Sequence, residues 1–526
     1  MASFDELVWT EYSDFTAGLY ERGTDRSCPP NGLLECQDCY PQASGGLRAT
    51  GVWQAMTTTN IPTNGYILNV GSVRGGGPEN LYILVLVANA GGAGSHTFEL
   101  FKLTGTYSGG SWTLLGSVTG FPSWWFGNRM TLFRVGGSLQ SGTNSAYFNL
   151  YGNTTKDGVY KTDGSTVAQA FAALAPTDVS AYQSRLLYTQ NAGPIWFTSV
   201  GSDGTPSTAN GLFPYEEINT NIRCMTPFSP SDLVVHKTNV GVFDIQGDLT
   251  SPTVRQMAFT HVNVQMYPAQ TDQGLAWTLY ADGVYIFDGA NWNPISQPII
   301  GCPMMPNYPG SDDIFGNTPH PGEPSVTSLG FGVTGQSCFS QYFLYAGQSY
   351  IWDIRTGGWF KITIPESASG TASHFVFENV EPTEYIVHSR NLSMQTGRHP
   401  LWFMEANEND LTRATSYSYT LPLIYNQGQQ TTLRELEYQL NAFDTSSTVT
   451  VTVTHVDATG AQVSETIGPL TIAGSGPQKM RIGIDGHPSD WWKVRTVLAS
   501  GTSAEAPMLE KMFTATDPAT RYEKAN

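Results

Sequence analysis

The sequence predicts an all-β protein: an irregular β-propeller with an extended N-terminal arm and a C-terminal β-sandwich-like module. Three observations carry this. Aromatic hairpins recur through the middle of the chain. The composition is dense in turn formers, with 55 Gly and 31 Pro in 526 residues and only 13% charged side chains. Near the C terminus, polar and apolar residues alternate strictly, as from Thr448 to Val456. Long helical patterns are absent, and Thr166 to Leu174 and Glu505 to Phe513 are read as loop helices of two or three turns. A chain of this length exceeds what one hydrophobic core serves, which divides it into an arm over 1–50, a propeller over 51–414 and a sandwich over 415–526.

The hairpins justify the propeller. Val284 to Trp292 and Tyr350 to Trp359 share one plan: an aromatic and aliphatic strand, a turn rich in Asp and Gly, and a second strand opening on Trp. Weaker copies run over Val159 to Gly164, Val242 to Gly247, and Phe101 to Trp112. The repeat positions are Trp112, Tyr160, Phe243, Tyr285, Trp292, Trp352 and Trp359. Asp244 and Asp288 stand 44 residues apart, and Asp163 and Asp244 stand 81 apart, with Ile195-Trp196-Phe197 between them. A period of roughly 40–50 residues is that of a four-stranded blade. A lone hairpin cannot hide its aromatic side chains, so each unit needs neighbours on both faces, and radial stacking supplies them. The step from Asp288 to Asp353 is 65 and implies an insertion, placed at 302–338, where six prolines and six glycines interrupt any alternation.

The arm differs in character. Asp14-Phe15-Thr16-Ala17-Gly18-Leu19 leads to Cys28-Pro29-Pro30-Asn31-Gly32, then Asp38-Cys39-Tyr40-Pro41 and Ser44-Gly45-Gly46-Leu47-Arg48. Gly and Pro punctuate it, and single apolar residues such as Phe15, Leu19 and Leu47 are read as anchors on a partner surface. Cys36-Gln37-Asp38-Cys39 has zinc-binding spacing with Cys28 as a third thiolate, but the local sequence offers no fourth ligand, so no metal is assigned. No cofactor is expected either. The first residues, Met1 to Leu7, carry no signal-peptide pattern, and no apolar run approaches the ~18 residues of a membrane helix.

In the C-terminal module, Leu433 to Leu440, Thr448 to Val456, Met480 to Gly486 and Trp491 to Val497 read as strands with one wet and one buried face. The pair Trp491-Trp492 reads as one ring in the core and one at an interface, with a sugar platform as the other reading.

A net charge of −18 without any basic run argues against tight nucleic-acid binding, while an acidic wall suits a passage through which DNA slides. Catalytic motifs fail. No two histidines lie within four residues, and Gly335-Gln336-Ser337-Cys338-Phe339 lacks the closing small residue of a nucleophile elbow. Arg74-Gly75-Gly76-Gly77 is no phosphate loop, since Lys-Ser/Thr does not follow. No enzymatic activity is expected, although Asp312, Asp313, Glu405, Glu408 and Asp410 include carboxylates that a propeller glycosidase would need across a central pocket.

The order of elements in the arm resembles the opening of tail-nozzle and packaged-DNA-stabilisation proteins of short-tailed bacteriophages. Those open on an Asp-Phe-x-x-Gly-Leu phrase, pass a Pro-Gly turn and an Asn-Val-like strand, and close on Gly-Gly-Leu-Arg. Here Asp38-Cys39 stands where that strand reads Asn-Val. The resemblance covers the arm closely and the blades loosely. It implies a virion protein of the tail or neck, assembled in the host cytoplasm as a homo-hexameric ring. Such a ring contacts the portal, adaptor and other tail proteins or fibres, and retains and then conducts double-stranded DNA. Phe15, Leu19, Leu47, Arg48, Trp491 and Trp492 are then assembly contacts, and 302–338 is a gate. The alternative is a propeller that binds or cleaves glycans, with a carbohydrate-binding-like sandwich.

Overall fold

The structure is a computed structural model that describes residues 7–121 apart from 23, 64, 75–80 and 92–94; 131–134; 144–206 apart from 151, 154, 174–175 and 191–193; 222–299 apart from 238–240, 258–268, 272–273 and 280–282; 343–363 apart from 347–349; 385–389; 401–405; and 412–518 apart from 426–429, 458 and 503. Among the described residues the regular structure is β-strand, with short 3-10 turns at Asp25–Ser27 and Gln297–Ile299. The two segments expected to be helical are strands instead: Val167–Ala172 forms the edge of a sheet, and Met508–Pro518 lies at the centre of one. In both, pairing with neighbouring strands overrides the helical preference of Ala, Glu, Leu and Met.

Among the described residues, six antiparallel sheets of three or four strands follow one another along the chain as blades, and a three-stranded section of a larger sheet stands between the fifth and the last of them. Blade 1 comprises Gly65–Arg74, Leu81–Gly91, Ser95–Thr104 and Ser111–Phe121; blade 2 comprises Thr131–Arg134, Asn144–Leu150, Gly158–Thr162 and Val167–Ala172. Blade 3 has Pro176–Tyr182, Arg185–Gln190 and Ile195–Phe197; blade 4 has Ile222–Ser229, Asp232–Lys237, Gly241–Gln246 and Thr253–Gln256. Blade 5 holds Ala269–Thr271, Gly274–Leu279, Gly283–Phe287 and Trp292–Pro294; blade 6 holds Phe343–Ala346, Tyr350–Asp353 and Trp359–Lys361. Blade 7 holds Tyr385–Ser389 and Leu401–Glu405, completed by Gln54–Ala55 from the other end of the propeller.

Five of the interfaces between neighbouring blades have cores of their own, while blade 6 packs into the larger core it shares with the arm and the sandwich. Phe98, Leu100 and Phe121 of blade 1 pack with Phe148 and Tyr160 of blade 2. Val159 and Phe171 then meet Val179 and Tyr188 of blade 3, and Leu187 and Phe197 meet Val235 and Phe243 of blade 4. Val234 and Val242 meet Phe287 and Trp292 of blade 5. The ring closes where Leu401 and Phe403 of blade 7 join Ile67, Val85 and Trp112 of blade 1. Burying each such side chain contributes about 1.5–3 kcal/mol. Polar ties repeat the pattern: Asn149 Nδ2 donates to the Pro176 carbonyl at 2.8 Å, the Met225 amide to Asp178 at 2.7 Å, and Trp359 Nε1 to the Ile295 carbonyl at 2.8 Å. The fold is therefore an all-β propeller whose repeat aromatics serve as interface residues.

The C-terminal strands form a two-sheet sandwich. One sheet runs Gly476–Gly483, Thr431–Ala442, Met508–Pro518, Leu47–Ala49, Cys39–Pro41, with Val8–Tyr12 also beside Met508–Pro518. The other runs Glu35–Gln37, Ser416–Thr420, Trp492–Ala499, Thr448–Val456, Gln462–Thr471, and continues through Glu35–Gln37 into blade 6 as one ten-stranded sheet. Leu436, Tyr438, Leu440 and Met512 of the first face Val449, Val451, Val494 and Leu498 of the second.

Candidate functional site: the threaded N-terminal segment

Among the described residues, the segment from Phe15 to Ala55 joins the most parts of the molecule. It begins at the edge of the sandwich and lays Gly18–Leu19 parallel to Trp359 of blade 6. Glu35–Gln37 then passes between blade 6 and Ser416–Thr420, and the chain turns at Asp38 to enter the opposite sheet as Cys39–Pro41 and Leu47–Ala49. It ends by completing blade 7 through Gln54–Ala55.

The residue types explain the path. Gly18 has φ 62°, and a Cβ there would lie 2.4 Å from the Trp359 carbonyl oxygen, so only glycine lets the two backbones touch. Gly46 approaches the Leu509 carbonyl equally closely. Phe15, Leu19, Leu33 and Leu47 are 0–1% exposed and belong to the core shared by arm, blade 6 and sandwich. This corrects the expectation that Phe15, Leu19 and Leu47 contact a partner: they are interior residues of this chain, because the arm is threaded through its own sheets. Trp492 is corrected likewise. It is 1% exposed, stacks on His455 at 4.6 Å between ring centroids, and donates from Nε1 to the Thr431 carbonyl at 2.9 Å. Trp491 is half-buried.

Ion pairs fasten the thread at three points. Arg48 grips Glu505 through Nε at 2.8 Å and Nη2 at 3.2 Å, and the buried Arg413 approaches the same carboxylate while donating to the Ala49 carbonyl at 2.8 Å. Glu35 receives Arg495 through two nitrogens at 2.7 and 2.9 Å, and the Ser418 and Thr420 hydroxyls at 2.7 and 2.8 Å. Burial opposes the charge of Glu35, but these donors outweigh it and hold its carboxyl below the ordinary range. Glu21 pairs with Lys361 and accepts from Tyr350 at 2.9 Å. Apart from Arg48, none of these charged residues is visible as a site residue in the sequence, since partners hundreds of residues apart leave no local spacing.

The cysteines of the N-terminal segment separate into two environments. Cys36 and Cys39 are fully buried with their sulfurs 3.6 Å apart. Cys28 is partly exposed, and burial together with Asp25 pushes its thiol up to about 12. Among the described residues, no three His, Cys, Asp or Glu side chains gather as a metal site.

The repeat positions Trp112, Tyr160, Phe243, Trp352 and Trp359 are buried, and Tyr285 and Trp292 pack at the edge of the blade 4–blade 5 core. Asp312, Asp313, Glu408, Asp410, the insertion at 302–338 and the Gly335 to Phe339 segment lie outside the described residues. Among the described residues, no helix is long and apolar enough to cross a membrane.

No family model and no curated protein matches this sequence. Solved structures do. An exo-beta-1,3-galactanase from Phanerochaete chrysosporium, solved with galactose, is 11% identical over 94% of this chain and 99% of its own, with a TM-score of 0.23. YCF48 from Cyanidioschyzon merolae is 9% identical over 68% of this chain and 100% of its own, with a TM-score of 0.36. A protein described as a glycoside hydrolase is 9% identical over 86% of this chain and 100% of its own, with a TM-score of 0.21. The presence of glycoside-hydrolysing enzymes among them overturns the expectation that the chain has no enzymatic activity, which is withdrawn. At these TM-scores the likeness carries no argument for a particular reaction.

Proposed function

We propose that this chain is a tail component of a bacteriophage, a nozzle or neck ring whose copies surround a passage that retains and then conducts double-stranded DNA. The observation that supports it most is where the phage-like phrase falls. Phe15, Gly18, Leu19, Gly46, Leu47 and Arg48 are the residues that lock the thread between blade 6 and both sheets of the sandwich. The phrase is therefore the signature of an architecture, a propeller bolted to a sandwich by its own N-terminal strand, and proteins that share the phrase would share the bolt. A net charge of −18 agrees with a wall that does not hold phosphates. The resemblance also motivates the assembly as a homo-hexamer.

A second reading, a propeller that binds or cleaves glycans, is the one toward which the names of the galactanases point. One pair of measurements separates the two. Light scattering on the purified chain should give about six times its 57.2 kDa mass for the ring. A monomer that releases reducing ends from β-1,3-galactan would replace the tail reading with the glycan one.

A further inference from the structure

We propose that Cys36 and Cys39 are a modification site: a dithiol that oxidises to an intramolecular disulfide and thereby latches the turn at which the N-terminal thread crosses between the two sheets of the sandwich. The proposal does not depend on the tail or glycan reading. The sulfurs already lie 3.6 Å apart, and closing to bond length requires an approach of about 1.5 Å, within the reach of small side-chain torsions. Both residues are 0% exposed, so neither sulfur has solvent or a distant thiol as a competing partner.

The turn between them is a junction of three parts. Asp38 holds φ 59°, a left-handed conformation uncommon outside glycine that Asp adopts more readily than most residues, as suits a tight turn. Its amide donates to the Lys361 carbonyl at 2.7 Å, its carboxylate accepts from the amide and hydroxyl of Thr363, and its own carbonyl accepts from the Thr50 amide at 2.9 Å. Cys36 pairs with Tyr419 in one sandwich sheet, and Cys39 pairs with Ala49 in the other. A bond between the two sulfurs would close the short loop through Gln37 and Asp38 and hold the turn in the conformation that makes these contacts.

A metal is the competing use of such spacing. Glu35 is engaged by Arg495, Asp38 by Thr363, and no third ligand gathers among the described residues. Burial keeps Cys39 protonated, so the pair is inert until the turn opens and then reacts by thiol–disulfide exchange. With oxidised glutathione, one thiolate attacks the glutathione sulfur and releases one reduced glutathione. The second cysteine then displaces the other, so two protons and two electrons leave the protein and two reduced glutathione molecules form.

The test uses the native full chain. After prolonged incubation with oxidised glutathione, the protein is denatured, alkylated and cut with trypsin, which frees residues 27–48 carrying Cys28, Cys36 and Cys39 together. The expected product carries one alkyl group, on Cys28, and is two hydrogens lighter. Thermal unfolding of the oxidised chain should shift upward and return with dithiothreitol, and Cys36→Ser given the same treatment should show no shift. Three alkyl groups on the peptide, a disulfide that includes Cys28, stoichiometric zinc by elemental analysis, or a disulfide that leaves the unfolding midpoint unchanged would each overturn the proposal.

Discussion

Gly18 and Asp444 show how single residues hold this molecule. Gly18→Ala forces a side chain into the left-handed region against the Trp359 carbonyl, at a cost of about 1–3 kcal/mol from the backbone alone, to be read from the urea midpoint. Asp444 accepts hydrogen bonds from the Ser500 hydroxyl, the Ser446 amide at 2.8 Å, and the Ser447 and Thr502 hydroxyls at 3.0 and 3.1 Å. The Ser500 bond leads in holding its carboxyl down at about 2. The folded value lies below the unfolded value of about 3.9, so this stabilisation is present above that pH and is lost as pH falls through about 2. Asp444→Asn should therefore be less stable than the native chain near neutrality and lose less stability on acidification, measured by urea midpoints over about pH 2 to 5. An unchanged acid dependence would show that the carboxylate contributes nothing there.

At the scale of elements, the closure of the ring is the point to probe. Met56, 0% exposed, donates its amide to the Leu401 carbonyl at 3.0 Å, and the preceding Gln54–Ala55 completes blade 7. Met56→Ala should cost about 2–5 kcal/mol. It should also speed amide exchange in Gly65–Arg74 and Leu401–Glu405 while leaving the sandwich strands unchanged, because the loosened core belongs to blades 1 and 7. Uniform acceleration across both parts would mean that they unfold as one unit.

The blades and the sandwich strands were legible in the sequence because their signal is local. Strict alternation in Thr448–Val456 states its burial directly, and the Trp-bearing hairpins announce their need for neighbours. The thread was not legible. Its strands Gly18–Leu19, Gly32–Leu33 and Glu35–Gln37 are two or three residues long, too short for any period, and the partners that tie Gly18–Leu19 and Glu35–Gln37 into blade 6 and the sandwich lie hundreds of residues away. Val167–Ala172 misleads through its alanines, and its burial follows no clean alternation because it is a sheet edge. The ion pairs of Arg48, Glu35 and Glu21 are invisible for the same reason as the thread: they are products of topology.

In the whole molecule, the threaded N-terminal segment joins the propeller blades of the described residues to the sandwich through shared sheets, and identical protomers are proposed to close around a shared axis. Interior placement of Phe15, Leu19, Leu47 and Trp492 removes them from any contact between protomers, which leaves the exposed faces of the blades and of the sandwich for that task. Direct imaging of the purified chain by single-particle electron microscopy tests the claim most directly. End-on views should show sixfold symmetry around an open axis. Isolated single-copy particles at concentrations sufficient for assembly would contradict it.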